Sequence, residues 1–274
     1  MIYVLAGVGA RIFSNSFLNV FQKVLTNKGS KPSVINFYTY LGLSILSLLL
    51  IPYLTLNISA ELIICTILMG ILGALGNYFI IKALSLGDLS SLAPINSYKP
   101  IVALIIAFIW LKEIPTLTAF AGILLIIAGT YILYEKGLYN KTAILYRVLA
   151  LIFSGTEAVF IKKIILLTNI PTSFALWALA GLLFSFVFVK SSENGFKLPQ
   201  IKHLFLLILS VAVMQYSTNF VFSKINVSYA LALFQLSTLL SVFLGVNIFK
   251  EKGIKRKIIA SVIMIAGAIV IILS

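Results

Sequence analysis

The chain has 274 residues, 61% of them apolar and 10% charged, with a net charge of +14. A soluble globular domain is about 45–50% apolar and ~25% charged, so this composition excludes an ordinary water-soluble enzyme and a disordered chain. What remains is a polytopic membrane protein. The basic residues sit between apolar runs rather than on one face, which argues against a nucleic-acid partner. Cys65 is the one cysteine and His203 the one histidine, so no internal disulfide can form, and neither a His/Cys metal site nor a cofactor is expected.

A membrane helix needs ~20 mostly apolar residues to cross ~30 Å of hydrocarbon. Ten stretches qualify or nearly qualify: 3–25, 33–56, 61–83, 89–111, 116–134, 143–165, 172–190, 202–223, 228–249 and 258–273. Short connections with turn residues, such as 27–32 and 87–88, leave no room for a soluble domain. Barrel strands alternate apolar with polar residues, and runs such as 101–111 do not. The first span lacks a basic leader and contains Arg11 and Asn15, so a signal peptide is not expected.

Polar groups inside spans carry the information, because a central charge costs at least ~2.5–3.5 kcal/mol on insertion scales. In the first span Arg11, Asn15, Asn19 and Gln22 fall on one helical stripe. The stripe is either a hydrogen-bonded seam between helices or a cavity wall. In the third span Gly70, Gly73 and Gly76 form a small-residue ridge suited to close packing, followed by Asn77. The fourth span holds Lys99 at its middle, ~15–18 Å from either surface. Pro94 and Pro100 each remove a backbone donor there and act as candidate hinges. Ser90, Asn96, Ser97, Tyr98 and Lys99 then form a loosened polar segment, tolerated only where protein or a wet cavity receives it.

Glu157 in the sixth span lies eight residues from the same membrane face as Arg11 does. The two could form an ion pair, or Glu157 could carry a proton. The eighth span has Gln215, Ser217, Thr218 and Asn219, and the ninth has Gln235, Ser237 and Thr238. The ninth has no proline, so the loosened backbone is expected only in the fourth. Trp110 and Trp177 are most simply packing residues or interface anchors.

Shifted by about 140 residues, the chain partly matches itself. Ile12-Phe13-Ser14 lies over Ile152-Phe153-Ser154, Asn77 over Asn219, Lys112-Glu113 over Lys250-Glu251, and Ile127-Ala128-Gly129 over Ile265-Ala266-Gly267. The matches keep one order, giving two five-span repeats, 1–138 and 139–274. Five is odd, so the second repeat enters the membrane from the opposite side. The predicted fold class is therefore an all-α integral membrane protein of ten transmembrane helices in two inverted-topology five-helix repeats, an arrangement that places a site near the midplane.

Charge sets an expected orientation. Lys112, Lys162, Lys163 and Lys224 fall on the side of the N-terminus. Fifteen basic residues, among them Lys23, Lys82, Lys136, Arg147, Lys190, Lys197 and the 250–257 cluster, fall on the other. The positive-inside rule makes the second side cytoplasmic and both termini external.

The duplication resembles the drug/metabolite transporter (DMT) superfamily, in particular the ten-span carriers with two EamA-type repeats. The residues that carry the resemblance are Pro100 and two Lys-Glu junctions. Each junction leads to a span with Leu125-Ile126-Ile127-Ala128-Gly129 or Ile263-Met264-Ile265-Ala266-Gly267. The family junction usually reads Gly-Glu, and both copies here read Lys-Glu. The resemblance implies a non-enzymatic cell-membrane carrier of amino acids, other small metabolites or drugs, working outward through a central cavity. It also implies cytoplasmic termini, the reverse of the charge count.

The expected function is secondary transport of a small polar or anionic metabolite. Substrate-binding candidates are Arg11, Asn15, Asn19, Asn77, Asn96, Ser97, Tyr98, Lys99, Gln215, Asn219 and Gln235, with Glu157 as the proton-coupling candidate. Expected partners are the substrate and the lipid bilayer, with the chain a monomer or a homodimer. The alternatives are a proton-coupled drug exporter using Glu157 and, from another class, a membrane scaffold or lipid-modifying enzyme.

Overall fold

A computed structural model describes residues 2–133, 140–190, 198–249 and 255–273, with the side chains of a few of these, Pro94 and Ser97 among them, outside the description. The chain folds into helices α1 (Ile2–Asn27), α2 (Pro32–Ser47), α3 (Ala60–Leu86), α4 (Leu89–Leu92), α5 (Lys99–Leu111) and α6 (Leu117–Leu133). The second half follows with α7 (Lys141–Leu167), α8 (Ile170–Lys190), α9 (Ile201–Phe222), α10 (Val227–Phe234), α11 (Leu236–Phe249) and α12 (Lys255–Ile272). Turns of 3₁₀ helix extend α2 over Leu48–Tyr53 and join α4 to α5 over Ala93–Tyr98. Among the described residues, six helices are long and apolar enough to cross a membrane, and four further apolar helices are shorter. No strand occurs among the described residues.

Local chemistry sets the helix ends. Pro32 starts α2, where a missing N–H costs nothing. Ser59 caps α3 by accepting from the Leu62 N–H at 3.1 Å, and Asn140 caps α7 through the N–H groups of Thr142 and Ala143. The chain leaves α5 through Lys112 at φ +56°, a left-handed conformation that favours glycine.

The two halves interlock. α3 packs mainly on α7, and α1 on α9. These are the same contact with the halves exchanged. α6 packs on its counterpart α12, and α2 on its counterpart α8. The counterparts run in opposite directions. A Cβ on Gly122 would meet Gly267 and Ile271, whereas one on Gly129 would meet Met264 and Ala260. Likewise Phe37 contacts Phe186, and Tyr40 lies against Gly181. The repeats are therefore inverted with respect to each other. At the α6–α12 crossing a Cβ on Gly122 would lie 2.7 Å from the Gly267 carbonyl oxygen, and the reverse distance is also 2.7 Å. Only glycine permits this approach.

Large apolar side chains cover the outside, among them Phe13, Ile105, Phe108, Ile109, Leu117 and Leu183. Polar and charged side chains are drawn inward, with Gln22, Asn36 and Asn219 fully buried. A soluble protein shows the opposite distribution; lipid as the outer solvent accounts for it.

Two expectations are corrected here. The fourth span is interrupted as expected, but so is the ninth, which steps at Gln235 between α10 and α11 without a proline. Arg147, counted among the charges of one membrane face, is 6% exposed and points inside the bundle. Lys23 and Lys162 are buried too, so three of the cations used to orient the chain are not surface charges.

Candidate functional site

A cavity of about 100 Å³ lies where the halves meet. Three of the four residues in the first-helix stripe, Arg11, Asn15 and Asn19, form one wall. Gln22 turns away from it and donates to Asn77 Oδ1 at 3.1 Å. Asn77 lines the cavity from α3 and donates to Asn36 Oδ1 at 2.5 Å. The stripe is thus cavity wall over three residues and hydrogen-bonded seam at the fourth.

The fourth-span interruption supplies Asn96 and Lys99 to the cavity. Pro100 cannot donate to the Asn96 carbonyl four residues back. The Lys99 N–H donates to it, one residue short, at the end of the 3₁₀ turn over Ala93–Tyr98. In the ninth span the Gln235 N–H bonds the Ala232 carbonyl at 3.0 Å, which leaves the Leu231 carbonyl without its helical donor. The Gln235 side chain fills that place from Nε2 at 2.8 Å, and its Oε1 accepts from Asn96 Nδ2 at 3.2 Å. The two interruptions are tied to each other by this amide pair.

The charged groups are the distinguishing feature. Arg11 is 9% exposed. Its guanidinium carbon stands 5.0 Å from the centre of the Phe234 ring, and Nε and Nη1 have no hydrogen-bond partner. The Lys99 ammonium lines the cavity with no ion pair or hydrogen bond among the described residues. Glu157 accepts from Trp177 Nε1 at 2.6 Å and lies over Gly73, whose missing Cβ leaves room for the carboxylate. Of the two readings open for Glu157, the ion pair with Arg11 is absent among the described residues. The two described ion pairs, Lys162–Glu113 at 2.5 Å and Lys163–Glu61 at 2.9 Å, lie elsewhere, toward the membrane face of the N-terminus. A buried cation with unused donors, in a region of low dielectric, is an anion-binding arrangement. The start of α5 at Lys99 adds the positive end of a helix dipole at mid-depth.

Gln215 also lines the cavity, donating to Asn219 Oδ1 at 2.8 Å. Asn219 and Gln235 are buried behind the wall, and Tyr98 is 40% exposed away from it. The Ser97 and Pro94 side chains lie outside the described residues.

Arg147, Trp177, Thr39 and Tyr40 are among the lining residues that the sequence did not single out for the site. Arg147 on α7 donates from Nε to the Leu92 carbonyl at 3.2 Å. Its place near the start of a span made it look like an interface charge. Trp177 is neither interface anchor nor mere packing, since it holds Glu157, with its ring centre 5.1 Å from that of Tyr40 in a tilted contact. Thr39 and Tyr40 also face the cavity. A Tyr or Trp with a polar tip in a span that offers partners was the available signal.

The sequence profile of the EamA-like transporter family matches residues 1–135 and again 141–273. No curated protein matches the chain in sequence. A solved crystal structure superposes with a TM-score of 0.73 at 13% identity, covering 100% of this chain and 98% of that one. At that identity the likeness speaks for the fold alone. Matched by the family in each of its halves, with the halves inverted and interlocked around one cavity, this chain belongs to the EamA-like transporter family of the drug/metabolite transporter superfamily.

Proposed function

We propose that the chain is a secondary transporter of a small polar or anionic metabolite, such as an amino acid. In this reading the substrate crosses by alternating access through the cavity between the repeats. The observation that carries it is Arg11, buried on the cavity wall with two guanidinium nitrogens unused. Lys99, unpaired on the same cavity, supports it. A bilayer-buried cation is costly, and a ligand anion would offset that cost at the moment of binding. Lipophilic cations are disfavoured by the same charges. The outward direction rests on the family's habit.

The four shorter apolar helices complete ten crossings in this reading, with α4–α5 and α10–α11 each acting as one interrupted span. Binding residues are Arg11, Asn15, Asn19, Asn77, Asn96, Lys99 and Gln215. Asn219 and Gln235 support them from behind. Glu157 orients Trp177 and balances part of the positive charge. The face rich in basic connections is cytoplasmic, with both termini outside; single cysteines placed in the loops and labelled from one side would check this.

The test is counterflow in proteoliposomes preloaded with amino acids and other small carboxylates. Wild type exchanges a subset of them. Lys99→Gln and Arg11→Gln each lower the rate at least about tenfold, the value of a lost charge-assisted hydrogen bond, with the folded fraction unchanged. Full activity in both variants removes these residues from the binding site.

A further inference from the structure

We infer that Arg147 is a second anion anchor of the central cavity and that the preferred cargo is a small dianion, carrying either two carboxylates or one phosphate monoester. This rests on the carrier reading above and narrows it.

The charged groups among the described lining residues are Arg11, Lys99, Arg147 and Glu157. With all four ionised, three cations less one carboxylate give the cavity a formal charge of +2. Lys99 lies within electrostatic reach of Glu157, Arg11 and Arg147 together. Both arginines therefore act on the space that Lys99 occupies, and all three line the one cavity. In a low-dielectric interior an uncompensated charge is expensive. A zwitterion entering this cavity leaves +2 behind, and a monoanion leaves +1. A dianion brings it to neutrality.

Arg147 is placed for this role. It is 6% exposed, and its only described hydrogen bond runs from Nε to the Leu92 carbonyl at 3.2 Å. That bond fixes the plane of the guanidinium and leaves the two terminal nitrogens for a ligand, the fork geometry that suits carboxylate and phosphate oxygens. Arg147 precedes Glu157 by ten residues on the same helix, ~15 Å along its axis. Arg11 enters from the other repeat, beside Phe234. The cations thus enter from α1, α5 and α7, and a ligand with two separate anionic groups, or one doubly charged group, can meet more than one of them.

The experiment measures thermal stabilisation of the purified full-length protein by ligand pairs that differ in charge. Succinate is compared with succinamate, which keeps the skeleton and loses one charge, and methyl phosphate with dimethyl phosphate. At least one dianion is expected to stabilise wild type at concentrations about tenfold or more below its monoanionic partner. Which pair responds separates the dicarboxylate from the phosphate ester. Arg147→Gln abolishes the preference and still binds the monoanion, and Arg147→Lys retains the preference in part. A variant serving only to hold Leu92 would lose stability and leave the ratio untouched.

The inference is overturned if neither dianion outperforms its partner, or if Arg147→Gln keeps the wild-type ratio. The wild-type comparison alone decides it should Arg147→Gln fail to fold. Failure here is distinct from failure of the carrier reading. An anion carrier that takes monoanions or zwitterions still shows Lys99-dependent counterflow, whereas loss of that counterflow ends both.

Discussion

The fourth and ninth spans occupy equivalent places in the two repeats, and both are interrupted, by different chemistry. The fourth contains Pro94 and Pro100 and passes through 3₁₀ helix over Ala93–Tyr98. The ninth has no proline and steps over a single residue, Gln235, whose own side chain replaces the lost backbone donor. What they place in the centre also differs. In the register set by the two Lys-Glu junctions, Lys99 of the fourth span corresponds to Ser237 of the ninth. Lys99 faces the cavity unpaired. Ser237 accepts from Asn15 Nδ2 at 2.9 Å through its hydroxyl, and its carbonyl accepts from Ser16 Oγ at 3.0 Å. One interruption brings an unpaired cation to the cavity, and the other bonds at the same register to the first helix of the opposite repeat. A duplicated unit keeps its geometry while its two copies divide the chemistry.

The largest expected effect breaks that division at its charged end. Lys99→Gln abolishes most transport with the fold intact, whereas Ser237→Ala leaves transport near wild type in the same counterflow assay. Equal losses in the two variants would mean that the spans are not specialised. Next is Gln235→Leu. It orphans the Leu231 carbonyl and the Asn96 amide, and should cost about 1–3 kcal/mol, seen as a lower melting temperature. Ser237→Ala removes one interhelical bond in the membrane and should cost only about 0.5–1 kcal/mol. Pro100→Ala is expected to change stability by ~0.5 kcal/mol or less and to leave transport in place. The ninth span shows that the step survives without proline; an inactive Pro100→Ala would instead make proline the cause of the fourth-span step. A separate effect lies outside the comparison. Lys112→Gly relieves a left-handed non-glycine residue and should stabilise by about 1 kcal/mol.

Much of this was legible in the sequence because hydrocarbon makes polar residues conspicuous. Arg11, Asn15, Asn19, Asn77, Asn96, Lys99, Glu157 and Gln215 all line one cavity, and each could be singled out by its cost in a span. The inverted duplication could be read from the order of short matches. What stayed hidden was relational. Arg147 lies six residues inside α7, a depth at which a long side chain either reaches the surface or turns inward, and only the carbonyl of Leu92 on a neighbouring element decides between them. The ninth-span step was invisible because it depends on a hydrogen bond from Gln235 to its own helix and not on proline. Glu157 could be placed at the depth of Arg11, but its choice of Trp177 depends on α8 packing against α7 and α3.

The central claim is that one cavity, opened in turn to each face of the membrane, holds the anion. Asn19 lines it, and Cys65 is the chain's one cysteine and is buried. The direct test is Asn19→Cys in a Cys65→Ser background, labelled in sealed vesicles with a membrane-impermeant thiol reagent. Labelling is expected when the reagent is added on either side, with protection by the transported anion on both. Labelling from one side only, or labelling that no anion slows, would contradict the account.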